Sequence, residues 1–125
     1  MIHVDTSFLI RGLARGSAED RALRRWLRTG EPLGMSAVAW AELLCGPIDE
    51  THREMAERTV SERVPFLEED AVLAARLFNE SGRRRGSLMD CMIAASALRA
   101  AAPLATANAS DFRRISARGL TLLEA

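Results

Sequence analysis

A chain of 125 residues, 48% apolar and 27% charged, has the size and composition of one compact domain, spanning 1–125, with a single core and a polar surface. No apolar run approaches the roughly 20 residues needed to cross a bilayer, and Met1–Asp5 reaches a carboxylate too early for a signal peptide, so the expected location is the cytoplasm, with no membrane partner. The 17 basic residues, all arginine, balance 17 acidic ones, which argues against nucleic-acid binding through bulk positive charge.

Ile2–Asp5 reads as a short opening strand and Thr6–Leu13 as a helix with Phe8, Leu9 and Leu13 on one side. After the break at Gly16 and Ser17, Ala18–Thr29 is an amphipathic helix. Ala22, Leu23, Trp26 and Leu27 share its apolar face, and Gly30 ends it. Leu33–Ser36 predicts a second strand, with Ser36 capping an apolar helix over Ala37–Cys45 that Gly46-Pro47 stops. Asp49–Arg63 is a charged helical stretch whose apolar positions are Met55, Ala56 and Val60. Val64–Leu67 predicts a third strand, followed by a helix over Glu68–Ser81 with Val72, Leu73, Ala75, Leu77 and Phe78 facing inward.

Gly82–Gly86 is a basic loop, and Ser87–Ala101 is the most apolar helix, expected to be buried on most sides. Pro103–Thr106 predicts a fourth strand, Ser110–Ile115 a short helix and Leu120–Leu123 a closing strand. The alternation predicts an α/β fold, a mainly parallel sheet with helices on both faces. Ligands of such sheets gather at the carboxyl ends of the strands, where Asp5 ends the first strand and Asn108 follows the fourth. Cys45 and Cys91 lie in apolar helical segments and are expected as reduced, buried thiols; without a C-x-x-C pattern they do not suggest zinc.

Four carboxylates have apolar or small neighbours: Asp5, Glu42, Asp90 and Asp111. Burying any of them alone costs several kcal/mol, and a divalent cation held by oxygen ligands is one shared explanation. Each also has a plainer reading. Asp5 is a good helix cap, Glu42 an exposed or Arg-paired side chain, and Ser87-Leu88-Met89-Asp90 has the form of a capping box. Asn108 and Asp111 are ordinary turn and cap residues. Ser7 lies close enough to a strand-end Asp5 to orient a water. Arg83-Arg84-Arg85 reads first as a solvated loop, with RNA phosphates as the alternative beside an acidic edge.

Taken together, Val4-Asp5-Thr6-Ser7, Ala41-Glu42-Leu43-Leu44 with Gly46 close behind, Asp90-Cys91-Met92-Ile93-Ala94-Ala95 and Thr106-Ala107-Asn108-Ala109-Ser110-Asp111-Phe112 resemble the PIN-domain family. Within it, they resemble the VapC-type toxins of bacterial toxin–antitoxin pairs. The resemblance covers essentially the whole chain. It implies a PIN-like three-layer α/β domain and a Mg²⁺- or Mn²⁺-dependent endoribonuclease. By that similarity Asp5, Glu42, Asp90 and Asp111 form the acidic, metal-holding site, with Asp5 and Asp90 as the surest ligands. Ser7, Thr106 and Asn108 match positions that support the site or a nearby water. An RNA substrate, a VapB-type antitoxin whose tail covers the site, and a second copy in a homodimer are the implied partners.

Two other classes compete. Phosphoryl-accepting aspartate enzymes, such as receiver domains and haloacid-dehalogenase-like phosphatases, need a lysine, which this chain lacks. Their phosphatase DxD pattern is also missing, because Ser7 stands where the second Asp would be. The other alternative is a catalytically silent PIN-like module that binds RNA or protein.

Overall fold

The computed structural model describes residues 1–115 and 119–125. Its elements run β1 (Ile2–Val4), α1 (Thr6–Gly12), α2 (Ala18–Arg28), β2 (Leu33–Ser36), α3 (Ala37–Cys45), α4 (Glu50–Thr59), β3 (Glu62–Val64), α5 (Glu68–Glu80), α6 (Leu88–Arg99), β4 (Leu104–Ala105), α7 (Ala109–Arg113) and β5 (Leu122–Leu123). The order matches the sequence expectation element for element. The strands form one parallel sheet in the order β3-β2-β1-β4-β5, flanked by helices in a three-layer α/β arrangement.

The inner strands β2, β1 and β4 are wholly buried, and the edge strands β3 and β5 are not. In β1 and β2 every residue is buried, which is how a central parallel strand covered on both faces reads. Phe8 and Leu9 of α1, Leu43 of α3, Leu77 of α5 and Phe112 of α7 join the strand residues in one core. Trp26 stacks on Phe8 with ring centroids 5.6 Å apart, fastening α2 to α1.

The chain leaves β1 toward β2 and β3, then returns to β4 on the other side of β1. The strand order therefore reverses between β1 and β4, and a crevice opens beyond their carboxyl ends. The register pairs Val4 with Ala105, so Asp5 and Thr106 are the next residues out, one on each lip.

Several local expectations shift. The third strand is Glu62–Val64, not Val64–Leu67, with Gly34, Met35 and Ser36 opposite Glu62, Arg63 and Val64. Pro65 has no N–H to extend the ladder, and Leu67 instead N-caps α5. On α5 the buried positions are Asp70, Ala74 and Leu77, spaced at the helical repeat. That face turns Ala75 and Val72 outward, and Val72 is 51% exposed. Leu27 lies at the margin of its helix face and is likewise exposed. Cys91 is buried as expected, but Cys45 is exposed, because α3 buries only Ala39 and Leu43 of its apolar residues. The first turn of α6 also faces outward through Leu88 and Met89.

Asp70 is a buried charge that no sequence pattern marks. Its Oδ1 accepts from Arg99 Nε at 2.7 Å, and its Oδ2 accepts from Leu67 N–H at 2.9 Å. It ties the first turn of α5 to the last residue of α6, at the opposite end of that helix from Asp90.

Candidate functional site

Asp5 sits at the lip of the crevice because β1 ends there and α1 begins. Its carboxylate is the N-cap of α1, accepting the Phe8 N–H on Oδ1 at 2.9 Å. The Ser7 hydroxyl donates to the same oxygen at 2.7 Å, and the Thr106 hydroxyl donates to Oδ2 at 2.6 Å. The cap reading and the site reading of Asp5 are thus both true of one side chain. Burial still holds its carboxyl above the usual range, although each of these hydrogen bonds pulls the other way.

Ser7 and Thr106 are fully committed. The Ser7 oxygen also accepts the Ala107 N–H at 3.1 Å, and the Thr106 oxygen accepts the Asn108 N–H at 3.0 Å. Their protons go to Asp5, so both fix that carboxylate and the turn after β4, and the Ser7 proton is not free to orient a water. Asn108 itself is exposed at the mouth of the cleft.

Glu42 reaches the same cleft from α3. Thr6 Oγ1 lies 2.8 Å from the Ala39 carbonyl and 3.4 Å from Glu42 Oε1, which clamps the start of α1 to α3 and leaves Glu42 half-buried. Burial, with a smaller contribution from Asp5, raises its pKa.

Asp90 enters from the first turn of α6. The capping box suggested by Ser87 and Asp90 does not form: Ser87 makes no side-chain cap, and its hydroxyl donates to the Arg84 carbonyl at 2.7 Å. Asp90 is therefore free to face the cleft. Its pKa is pushed up to about 6, first by burial and then by the charges of Asp111, Glu42 and Asp5. Asp111, on α7, is the most exposed of the four.

Asp5, Glu42, Asp90 and Asp111 thus line one cleft of about 270 Å³, together with Ser7 and Asn108. Ile10, Ile93 and Phe112 form its apolar walls. Among the described residues, however, no three His, Cys, Asp or Glu side chains close into a compact metal cage. Both Asp5 oxygens are engaged by hydrogen bonds to Ser7, Phe8 and Thr106. An all-oxygen set of this kind fits a hard cation such as Mg²⁺, which keeps several waters and needs only one or two carboxylates.

Two features of this region escaped the sequence reading. Thr6 had no signal beyond its place beside Asp5. Arg114 joins Arg84 and Arg85 around a second cavity, of about 210 Å³, which shares Asp90 and Asp111 with the cleft. Only the folding of α7 against α6 brings these distant arginines together.

The PIN domain family model matches residues 2–118, and the chain belongs to the PIN-domain family. Its fold is similar to a toxin–antitoxin complex from Klebsiella pneumoniae, with 25% identity, a TM-score of 0.72, and 90% of this chain and 91% of that one covered. It is also similar to VapBC-5 of Mycobacterium tuberculosis, a member of the VapBC family of toxin–antitoxin systems, at 27% identity and a TM-score of 0.57, covering 98% and 95% of the two chains. VapBC2 from Rickettsia felis, bound to a promoter DNA fragment, shares the fold at a TM-score of 0.77 and 19% identity, with 100% and 99% covered. No curated protein matches this chain.

Proposed function

We propose that this chain is the toxin of a toxin–antitoxin pair and acts as a Mg²⁺- or Mn²⁺-dependent endoribonuclease. Asp5, Glu42, Asp90 and Asp111 are the residues assigned to hold the cation. The observation that carries the reading is Asp90. It is a half-buried carboxylate, released from helix capping, whose pKa is raised first by burial and then by the charges of Asp111, Glu42 and Asp5. Without a cation that arrangement destabilises the fold. A bound cation would neutralise charge on the scissile phosphate and acidify an attacking water. The chain's own residues do the positioning. Ser7, Thr106 and the Phe8 N–H fix Asp5, and Thr6 holds Glu42. Ile93 and Phe112 give the cleft a buried apolar wall on one side.

Toxin–antitoxin complexes among the structural neighbours support a VapB-type antitoxin as partner. A homodimer and a cytoplasmic location belong to the same proposal, as does one PIN-like domain over 1–125. Among the described residues, no helix is long and apolar enough to cross a membrane.

A catalytically silent RNA- or protein-binding module is the rival reading. It draws on the lack of a compact three-ligand cage among the described residues. The two readings separate in one experiment. Wild type and Asp90→Ala are incubated side by side with RNA, with Mg²⁺ or Mn²⁺ and with EDTA. Cleavage by wild type with metal only, and none by Asp90→Ala, is the expected outcome. Equal cleavage by both would remove the site assignment, and no cleavage by either would favour the silent module. Toxicity on expression, relieved by the same substitution, tests the toxin role.

A further inference from the structure

The cavity beside the acidic cleft has the opposite character on its far wall. Arg84 and Arg85 reach it from the loop between α5 and α6, and Arg114 from the end of α7. Ser81 and Ser87 add hydroxyl groups, while Asp90 and Asp111 form the wall common to both spaces. Among the described residues none of these three arginines has a carboxylate within ion-pair distance. The third loop arginine behaves differently. Arg83 donates to Asn79 Oδ1 and lies over the Phe78 ring at 5.5 Å, so its guanidinium is folded back on α5.

The backbone reinforces this division. Arg83 has φ +54° and Gly86 φ +85°, two left-handed residues that bracket Arg84 and Arg85 and turn them together. Because Ser87 spends its hydroxyl on the Arg84 carbonyl, the 12-residue helix α6 starts with no side-chain cap at the edge of this cavity. N–H groups without a side-chain cap, and three guanidinium groups with no carboxylate partner among the described residues, favour an anion here. It shares the Asp90 and Asp111 wall with the acidic cleft, so a strand held in one space extends into the other. One phosphate faces the carboxylates while its neighbour meets the arginines.

We propose that Arg84, Arg85 and Arg114 form a subsite for an RNA backbone phosphate on one side of the scissile bond, and so set which way the strand runs through the cleft. This rests on the nuclease reading and adds the polarity of the substrate to it. The zero net charge is no obstacle, because the arginines Arg84, Arg85 and Arg114 outnumber the carboxylates Asp90 and Asp111 that share the cavity. The residues are positioning residues, not catalytic ones.

The test uses the full chain in two arms. In the first, a short single-stranded RNA is titrated against Asp90→Asn protein over a range of salt, with and without Arg84→Gln and Arg114→Gln. Each substitution is expected to weaken binding and to lower the slope of log affinity against log salt by about 0.7. Arg83→Gln should leave the slope near its starting value, because its guanidinium is engaged by Asn79 and Phe78. In the second arm, wild type and the arginine variants cleave RNA oligomers shortened on either side of the cut. The variants should raise KM with little change in kcat. Shortening one side, and not the other, should erase their difference from wild type. Persistent cleavage with unchanged salt slope and KM in the arginine variants would overturn the subsite while leaving the nuclease reading intact. A wild type that neither binds nor cleaves RNA would overturn both.

Discussion

Thr106 donates a 2.6 Å hydrogen bond to Asp5 across the point where the sheet reverses its strand order. The bond joins the carboxyl ends of β1 and β4, residues 101 positions apart, and sets the aspartate that caps α1 as one wall of the acidic cleft. Asp5 is therefore a joint in the fold and a ligand candidate at once, and its substitutions need to be chosen with that in mind.

Asp5→Ala removes the acceptor for three donors and the cap of α1, and is expected to cost about 2 kcal/mol of stability along with cleavage. Asp5→Asn keeps an acceptor oxygen for Phe8 N–H and Ser7 and should unfold within about 1 kcal/mol of wild type while still failing to cleave. Thr106→Val should lower both stability and activity, and Thr106→Ser should restore most of each. Urea unfolding measured beside RNA cleavage separates the two roles. An active Asp5→Asn would remove Asp5 from the site.

Asp70 makes the contrasting case, a buried carboxylate with a structural partner. It is 1% exposed, and its two oxygens serve Arg99 and the Leu67 N–H. Asp70→Asn should destabilise the protein by about 2 kcal/mol by weakening both bonds. Metal-dependent cleavage should be unchanged at temperatures where the variant is folded. Loss of activity in a fully folded Asp70→Asn protein would mean that the tie at the far end of α6 is coupled to the cleft.

Much of this architecture was legible in the residues, and the exceptions have physical causes. Buried strands such as Ile2–Val4 and the caps Ser36 and Gly46 are local signals, so the order of elements could be read throughout. The third strand slipped because Val64, Phe66 and Leu67 look like strand residues, while pairing stops at Pro65 for want of an N–H. Val72 and Leu27 are exposed although periodicity puts them on an apolar side, because periodicity does not give the width of the neighbour that covers that side. The same limit applies to Cys45. At the cleft, Asp90 could not be told from a capping residue without seeing where the Ser87 hydroxyl goes. Arg114 could not be joined to Arg84 because their meeting depends on how α7 packs against α6.

His3 and Asp90 should pull the acid stability of the metal-free protein in opposite directions. His3 is 1% exposed, its Nε2 has no hydrogen-bond partner among the described residues, and burial lowers its pKa to about 4. Between pH 6.5 and about 4 the unfolded chain takes up the His3 proton and the native chain does not, so this group costs stability as pH falls. Asp90 behaves oppositely. Between about 6 and 3.8 the native protein holds its proton and the unfolded chain does not, so stability is gained as pH falls. Asp90→Asn should therefore steepen the loss of Tm on acidification, and His3→Gln should flatten it. Parallel Tm–pH curves for wild type and both variants would contradict the assigned pKa directions.

Metal binding draws on the same repulsion. At pH 7.5 Asp90 is ionised beside Asp111, Glu42 and Asp5, and a cation that binds only the native state raises Tm by mass action. At pH 5 Asp90 holds its proton in the native state, and the cation must displace it, so the increase should shrink. Asp90→Asn should raise the Tm of the metal-free protein at pH 7.5, because it removes a destabilising charge, and should abolish most of the response to Mn²⁺. Scanning calorimetry of wild type and Asp90→Asn at the two pH values, with Mn²⁺ and with EDTA, reads all of these effects without reference to RNA cleavage. An equal Mn²⁺ shift in both proteins would place the cation elsewhere and would leave the raised Asp90 pKa without a functional role.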